Sequence, residues 1–221
     1  SLSRALDGVD ITKYPIFIST GFSSVPFISI LAAYCKKNNI DLSKVSGSVE
    51  ADPIGYWASE GELPVPVLSA ISGISTSLQW KMKNAPLLKT CNVSSLPYVN
   101  SGANGVQELA IMLATAAEYL RKLIDLGVDI NDAAQNIKVT LGIGSSFFSE
   151  VAKFRAAKVL WKNLISAFGG KEESQSISIF AISSQFNKTK FDPYVNMLRT
   201  TTEIFSAIVG GIDSLQVAPF D

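Results

Sequence analysis

Glu50 and Asp52 stand two apart in the stretch VEADP (49–53), where acidic side chains cluster at the end of a strand-like run. Two carboxylates at that spacing on a strand face the same side and could divide acid and base work between them. Asp52 has a competing role. Pro53 follows it at the first position of a helical pattern, and an Asp ahead of such a proline is a helix cap. With Asp52 read as a cap, Glu50 is left as a candidate for proton abstraction beside a hydroxyl such as Ser94. The segment GIGSS (142–146) opens onto a helix and could offer backbone N–H groups to a phosphate. It lacks a lysine, and a small-residue turn that allows close helix packing is the favoured account. VGGID (209–213) reads as a helix stop. The chain contains no histidine, which removes Ser/His/Asp and Cys/His arrangements. Cys35 and Cys91 are isolated, without zinc-ligand spacing, and are expected as buried small hydrophobes; no metal site is expected. Lys89 lies early in a strand, poorly placed for a Schiff-base lysine.

The composition bounds what such groups could serve. Lys plus Arg equals Asp plus Glu at 19 each, so no long-range field favours nucleic acid or an anionic membrane, and no basic patch with interleaved aromatics appears. A hydrophobic content of 47% over 221 residues is ample for a core and argues against disorder. The opening SLSRALDGVD has neither a charged n-region nor an apolar h-region. Apolar runs such as VPFISILAAYC fall short of the roughly 18 residues that span a bilayer. A soluble, cytoplasmic protein without membrane or nucleic-acid partners is expected.

Short β-like runs alternate with helical patterns. Strands are predicted at 16–20, 45–51, 87–95, 137–145, 176–184 and 213–220, and helices at 25–39, 52–61, 67–84, 105–127, 147–169 and 192–211. In the helix at 105–127, Val106, Leu109, Leu113, Ala116, Ala117 and Leu120 fall on one face, and Gly127 stops it. This βαβα repeat demands crossovers and therefore a parallel sheet. No linker interrupts it, so residues 1–221 read as one domain. A dinucleotide-binding sheet would show G-x-G-x-x-G after its first strand, where this chain has GFSSVPF. The pattern favours an α/β fold of the (β/α)8 TIM-barrel type, incomplete, with about six parallel strands. Because closure takes eight strands and the chain ends on VAPFD, the sequence reads as part of a longer protein. Reactive groups of such a barrel belong at the C-terminal strand ends, which here hold Glu50, Ser94, Ser184 and Gln185.

Three longer blocks carry a resemblance: SGANGVQELAIMLATAAEYLRKLIDLGVDINDAA (101–134), AKFRAAKVLWKNLI (152–165) and FDPYVNMLRTTTEIFSAIVGGIDSLQVAPFD (191–221). They resemble the substrate-binding barrel of the methylmalonyl-CoA mutase family. LSRALDGVDITKYPIFIST with VEADPIGYWASEG, and the ending VAPFD, are similar to the small, non-catalytic subunit of its two-subunit bacterial forms. The resemblance implies an isomerase of propionate metabolism in which a homologous large subunit interconverts succinyl-CoA and methylmalonyl-CoA, with this chain as its heterodimer partner. It implies adenosylcobalamin in the holoenzyme and none bound by this segment, which lacks the family's Asp-x-His-x-x-Gly signature. Where the catalytic chain places a Tyr–His pair against the substrate, this sequence has Leu96 and Pro97 in SSLPYVNSGA; where it has His, Gln and Trp, FAISSQF supplies Phe180, Ile182 and Phe186. The implied catalytic set is therefore empty, and Glu50, Ser94, Tyr98, Gln185 and Gln216 are candidates for a vestigial cleft. Two other readings stay open: a regulatory barrel that binds a CoA ester, and an independent barrel enzyme using Glu50.

Overall fold

The computed structural model describes residues 2–221. Six strands, β1 (Ile16–Ser19), β2 (Gly47–Ala51), β3 (Leu88–Ser94), β4 (Ile137–Ile143), β5 (Ile179–Ser183) and β6 (Ser214–Gln216), form one sheet in the order β1-β2-β3-β4-β5-β6. Each strand lies beside its sequence neighbours, without the order reversal of a doubly wound sheet. The fold is an α/β incomplete barrel with six parallel strands. The helices are α1 (Leu2–Ala5), α2 (Val25–Lys37), α3 (Pro53–Glu60), α4 (Val67–Asn84), α5 (Leu96–Val99), α6 (Gly105–Asp125), α7 (Ile130–Asn136), α8 (Phe147–Ala167) and α9 (Val195–Gly210). Two compact units divide the chain. One comprises Ser1–Asn92 with Tyr119–Lys138, the other Val93–Glu118 with Val139–Asp221.

In the first unit β1 and β2 pair in parallel from Ile16↔Gly47 to Ser19↔Glu50. Ile16, Ile28, Leu31, Val45, Val49 and Leu88 close a common core over them, with Trp80 of α4 packed against it. Gly47 fixes the entry of β2. Its φ is +104°, and a Cβ there would lie 2.0 Å from the carbonyl oxygen of Ile16, inside the pairing itself. Asp52 caps α3 as expected: its Oδ1 accepts from the Gly55 N–H at 2.9 Å, Pro53 occupies the first helical position, and Gly61 ends the helix in the left-handed region.

In the second unit β4 and β5 pair over five residues, Val139↔Ile179 to Ile143↔Ser183, and β6 adds to β5 at Phe180↔Ser214. Phe154, Trp161 and Ile165 of α8 are fully buried. Gly210 lets α9 approach, since a Cβ there would lie 2.8 Å from Phe154 Cβ, and Gly211 at φ +83° ends the helix.

The structure departs from the sequence expectations in detail. The strands are shorter, most at β6, where three residues pair instead of eight. The helices α1, α5 and α7 are four, four and seven residues long, too short for a periodic signal. On α6, Leu109, Ala116 and Leu120 are buried as expected, Leu113 and Ala117 are half-buried and Val106 is 80% exposed, while the buried side also takes in Glu108, Met112, Thr115, Tyr119 and Leu123. A carboxylate holds the position that an apolar pattern assigns elsewhere.

Because Gly47 combines a left-handed φ with backbone contact at 2.0 Å, Gly47→Ala in the full-length protein is expected to cost about 3 kcal/mol or more. Urea unfolding followed by circular dichroism reads this directly; an unchanged midpoint would show that β1 and β2 do not approach in this way.

Candidate functional site

Two buried polar clusters are built into the units. In the first, Glu50 from β2 forms an ion pair with Lys138 from β4, each side chain 3% exposed. The Lys138 ammonium also lies 5.4 Å from the centre of the Phe17 ring. Burial pushes the Glu50 carboxyl above its ordinary value, against the pull of Lys138, and pushes the Lys138 ammonium below its own, against the pull of Glu50. Nearby, the Tyr119 hydroxyl donates to Asp52 Oδ1 at 2.6 Å and accepts from the Ile54 N–H at 2.8 Å. Burial and the Asp52 charge hold that phenol well above its usual range. Burial likewise holds the Cys91 thiol protonated, and both cysteines are free and buried. Lys89 reaches the carbonyls of Gln135 and Ile137, away from the C-terminal end of its strand.

The second cluster centres on Lys153 of α8. Its ammonium lies 2.7 Å from Glu108 Oε2 and 2.6 Å from Glu150 Oε2, and it donates to the Gly142 carbonyl at 2.7 Å. Glu108 Oε1 in turn accepts from the Gly142 N–H at 2.8 Å and from Ser95 Oγ at 2.6 Å. Glu108 thus ties α6 to the N–H of a β4 residue and to the end of β3, while Lys153 of α8 takes that residue's carbonyl. Gly142 has to be glycine, because a Cβ would meet Val99 Cγ1 at 2.8 Å. GIGSS is accordingly a close-packing turn. The three donors of Lys153 are matched by three acceptors, which leaves none for a ligand.

Above this floor lies a cavity of about 810 Å³, lined mainly by Val99, Ala103, Leu109, Ala156 and Phe186, with Asn104, Ser145 and Ser149 also in its wall. The start of α6 at its edge is closed by a capping box. Asn104 Oδ1 accepts from the N–H groups of Val106 and Gln107, and Gln107 Oε1 accepts from that of Asn104. The cavity therefore offers apolar walls over a polar floor whose donors are satisfied, a setting for an apolar or amphipathic group and not for acid–base chemistry.

The residues singled out from sequence fall as follows. Leu96 and Pro97 open α5, half-buried, and Ser94 Oγ accepts from the Leu96 N–H at 3.3 Å. Phe180 is buried and Ile182 half-buried on β5, and Phe186 is 65% exposed in the loop that follows. The stretches SSLPYVNSGA and FAISSQF are brought together: Asn100 Oδ1 accepts from Ser184 Oγ at 3.2 Å and from the Gln185 N–H at 3.0 Å. A Cβ at Gly102 would touch the Phe186 ring at 3.4 Å. Tyr98 lines a shallower hollow of about 450 Å³ beside Gly102 and Ile111. Gln185 and Gln216 are exposed, Gln216 at the end of β6. Glu50 belongs to the first unit and Ser94 to the second.

Sequence reasoning missed Glu108, Glu150 and Lys153. The available signal was Glu108 in phase with Met112 and Tyr119, together with an oppositely charged pair three apart at 150 and 153. Among the described residues no group of three or more His, Cys, Asp or Glu could hold a metal ion, and no helix is long and apolar enough to cross a membrane.

Comparison with known proteins bears on this arrangement. The family model described as Methylmalonyl-CoA mutase matches residues 1–221. The chain belongs to that family. It is 38% identical over 231 residues to the methylmalonyl-CoA mutase small subunit of Porphyromonas gingivalis, covering 100% of this chain and 36% of that protein. It is 32% identical to the small subunit of Streptomyces virginiae, covering 100% and 35%. Against the methylmalonyl-CoA mutase of Escherichia coli the identity is 28%, over 97% and 30%. The chain thus spans about a third of the length of the curated relatives it matches.

Two stability predictions follow from the clusters, both for the full-length chain. Lys153→Met leaves two carboxylates buried without a countercharge and is expected to cost about 3–5 kcal/mol. If urea unfolding shows less than about 1 kcal/mol, the cluster is not desolvated. For Glu50 and Lys138 the pH dependence has a definite sign. A raised carboxyl favours the folded state below its unfolded pKa and loses that contribution as pH rises through the folded value. A lowered ammonium favours the folded state at alkaline pH and loses it as pH falls through the folded value. In Glu50→Gln only the ammonium effect remains, enlarged by loss of the countercharge. The variant is expected to be about 3–5 kcal/mol less stable at pH 7, with a deficit that shrinks toward pH ~10, where lysine is half neutral in the unfolded chain. A deficit constant over that range would show that Lys138 is solvated.

Proposed function

We propose that this chain is the barrel portion of the non-catalytic small subunit of an adenosylcobalamin-dependent methylmalonyl-CoA mutase. Its partner is the homologous catalytic large subunit, which interconverts succinyl-CoA and methylmalonyl-CoA in the cytoplasm. On this reading residues 1–221 are part of one barrel domain that contributes packing and interface.

The observation that carries the proposal is the makeup of the corner where β3 and β5 end. Asn100 draws the stretch after β3 to the stretch after β5, and at the positions in those stretches where the resemblance implies catalytic groups stand Leu96, Pro97, Ile182 and Phe186. A carbon-skeleton rearrangement of a thioester calls for hydrogen-bond donors at the migrating carbonyl. Leu, Pro, Ile and Phe side chains supply none. The similarity to two proteins named as small subunits supports the same reading.

The cofactor is assigned to other parts of the holoenzyme. A chain without histidine has no imidazole to place on cobalt, and these residues do not fit a role in holding the corrin metal. When bound, the cofactor supplies homolysis of its cobalt–carbon bond.

A regulatory role in binding a CoA ester is favoured by one observation, the 810 Å³ apolar-walled cavity above Lys153. An independent enzyme using Glu50 is disfavoured by the Lys138 pairing, which neutralises the carboxylate in place.

The test is to mix the full-length chain with the catalytic subunit at micromolar concentration, follow sedimentation, and assay each alone. A one-to-one complex, with turnover absent from this chain alone, is expected. Independent sedimentation overturns the partnership, and turnover by this chain alone overturns its silence.

A further inference from the structure

The cavity above Lys153 is lined wholly by residues of the second unit, from the starts of α6 and α8, the turn after β4 and the loop after β5. At about 810 Å³ it falls in the size range of small-molecule sites. What such a site takes depends on which hydrogen-bonding groups its wall leaves uncommitted.

Its buried side-chain donors are all committed. The Lys153 ammonium is shared among Glu108, Glu150 and the Gly142 carbonyl. Ser184 Oγ donates to Asn100 Oδ1 at 3.2 Å, and Asn187 Nδ2 donates to Glu203 Oε1 at 2.7 Å. Two acceptors are not committed. Glu150 is 7% exposed and its Oε2 takes the Lys153 contact, but among the described residues no donor reaches its Oε1. That oxygen lies over the turn after β4, since a Cβ on Gly144 would stand 3.2 Å from it. Asn187 Oδ1 is buried without a hydrogen-bond partner, and its orientation is set by the bond that its own Nδ2 makes to Glu203. Both residues line the cavity. A buried acceptor without a donor is costly, so each such atom calls for an explanation. The charge count runs the same way. The floor holds one ammonium against two carboxylates, and both acids sit in the first turn of their helices, where a negative side chain is favoured.

We propose that this cavity is a binding site for a small primary amine with an apolar body, whose ammonium donates to Glu150 Oε1 while the body packs against Val99, Leu109 and Phe186. The inference goes beyond the small-subunit reading and does not depend on it. The chemistry of the wall selects the class. Phosphates and carboxylates bring acceptors and further negative charge to a wall whose uncommitted buried groups are themselves acceptors. An alcohol brings one donor and no charge. An ammonium brings three donors and a positive charge, and hydrogen bonds to ionised groups are roughly twice as strong as neutral ones. Asn187 Oδ1 stands in the same wall as a second acceptor. The apolar walls call for a body as well as a head. Among the described residues no group of three or more His, Cys, Asp or Glu could hold a metal ion, so the cation that answers Glu150 is an organic one.

The experiment titrates the full-length chain with phenethylamine at neutral pH by isothermal calorimetry, beside phenethyl alcohol and phenylpropionate as its uncharged and anionic counterparts. Saturable binding of one amine per chain is expected, at least about tenfold tighter than the alcohol, with no binding of the carboxylate. Glu150→Gln, which leaves Lys153 paired with Glu108, is expected to bring the affinity for the amine down to that for the alcohol. Ala156→Trp, which places a ring in the cavity, is expected to abolish binding of both. Thermal midpoints show that each variant is folded. An amine that does not bind the wild-type chain overturns the proposal, and a cavity filled by the rest of the polypeptide gives that result. Equal affinity for amine and alcohol overturns it too, as does amine binding that survives both substitutions. Should Glu150→Gln fail to fold, the wild-type preference for amine over alcohol, with its loss in Ala156→Trp, decides the matter. None of these outcomes alters the sedimentation test of the small-subunit reading, so the two can fail separately.

Discussion

An ammonium taken out of water must find its countercharges within hydrogen-bond reach, and Lys153 shows how much structure that requirement organises. Its charge is shared between Glu108 on α6 and Glu150 one turn away on α8, while Gly142 of β4 contributes its carbonyl to Lys153 and its N–H to Glu108. The desolvation cost of three ionised groups is met only while all of these elements keep their places. That explains why Gly142 has no side chain and why Val99 packs directly upon it. It also explains why α6 admits a carboxylate on its buried stripe. The cavity above inherits its floor from the same contacts.

The first unit solves the same problem with fewer groups. Glu50 and Lys138 neutralise each other inside it, and Asp52 serves at once as cap for α3 and acceptor for Tyr119. In both units the buried charges engage one another. Groups so engaged hold strands and helices in register but are poor proton carriers, since moving a proton would strand a partner in a low-dielectric interior.

Much of this was legible in the sequence because it is local. The alternation of apolar runs with helical periodicity predicts six parallel strands, Val67–Asn84 has the bounds expected for it, and Asp52-Pro53 announces a cap that the structure contains. What escaped is long-range. Glu108 meets Lys153 across 45 positions, and Glu50 lies farther still from Lys138, so neither pairing leaves a periodic trace. The four-residue helix α5 is below the length at which periodicity speaks, and its proline falls in the first turn, where a helix admits one.

The helix α9 shows the limit most clearly, because there the periodic signal is present and points the wrong way. An apolar stripe of Leu198, Phe205 and Ile208 normally marks the core side. Here the inward side is claimed by Glu203 and Asn196, whose hydrogen bonds to Lys188, Asn187 and Thr189 fix the loop between β5 and α9. That loop carries Phe186 and Asn187 into the cavity wall. The polar anchor that shapes the cavity thus turns the apolar stripe outward. Leaving Leu198 and Phe205 outside forgoes hydrophobic stabilisation on the order of 1.5–3 kcal/mol per side chain, which measures what the fold gives up to hold that loop in place.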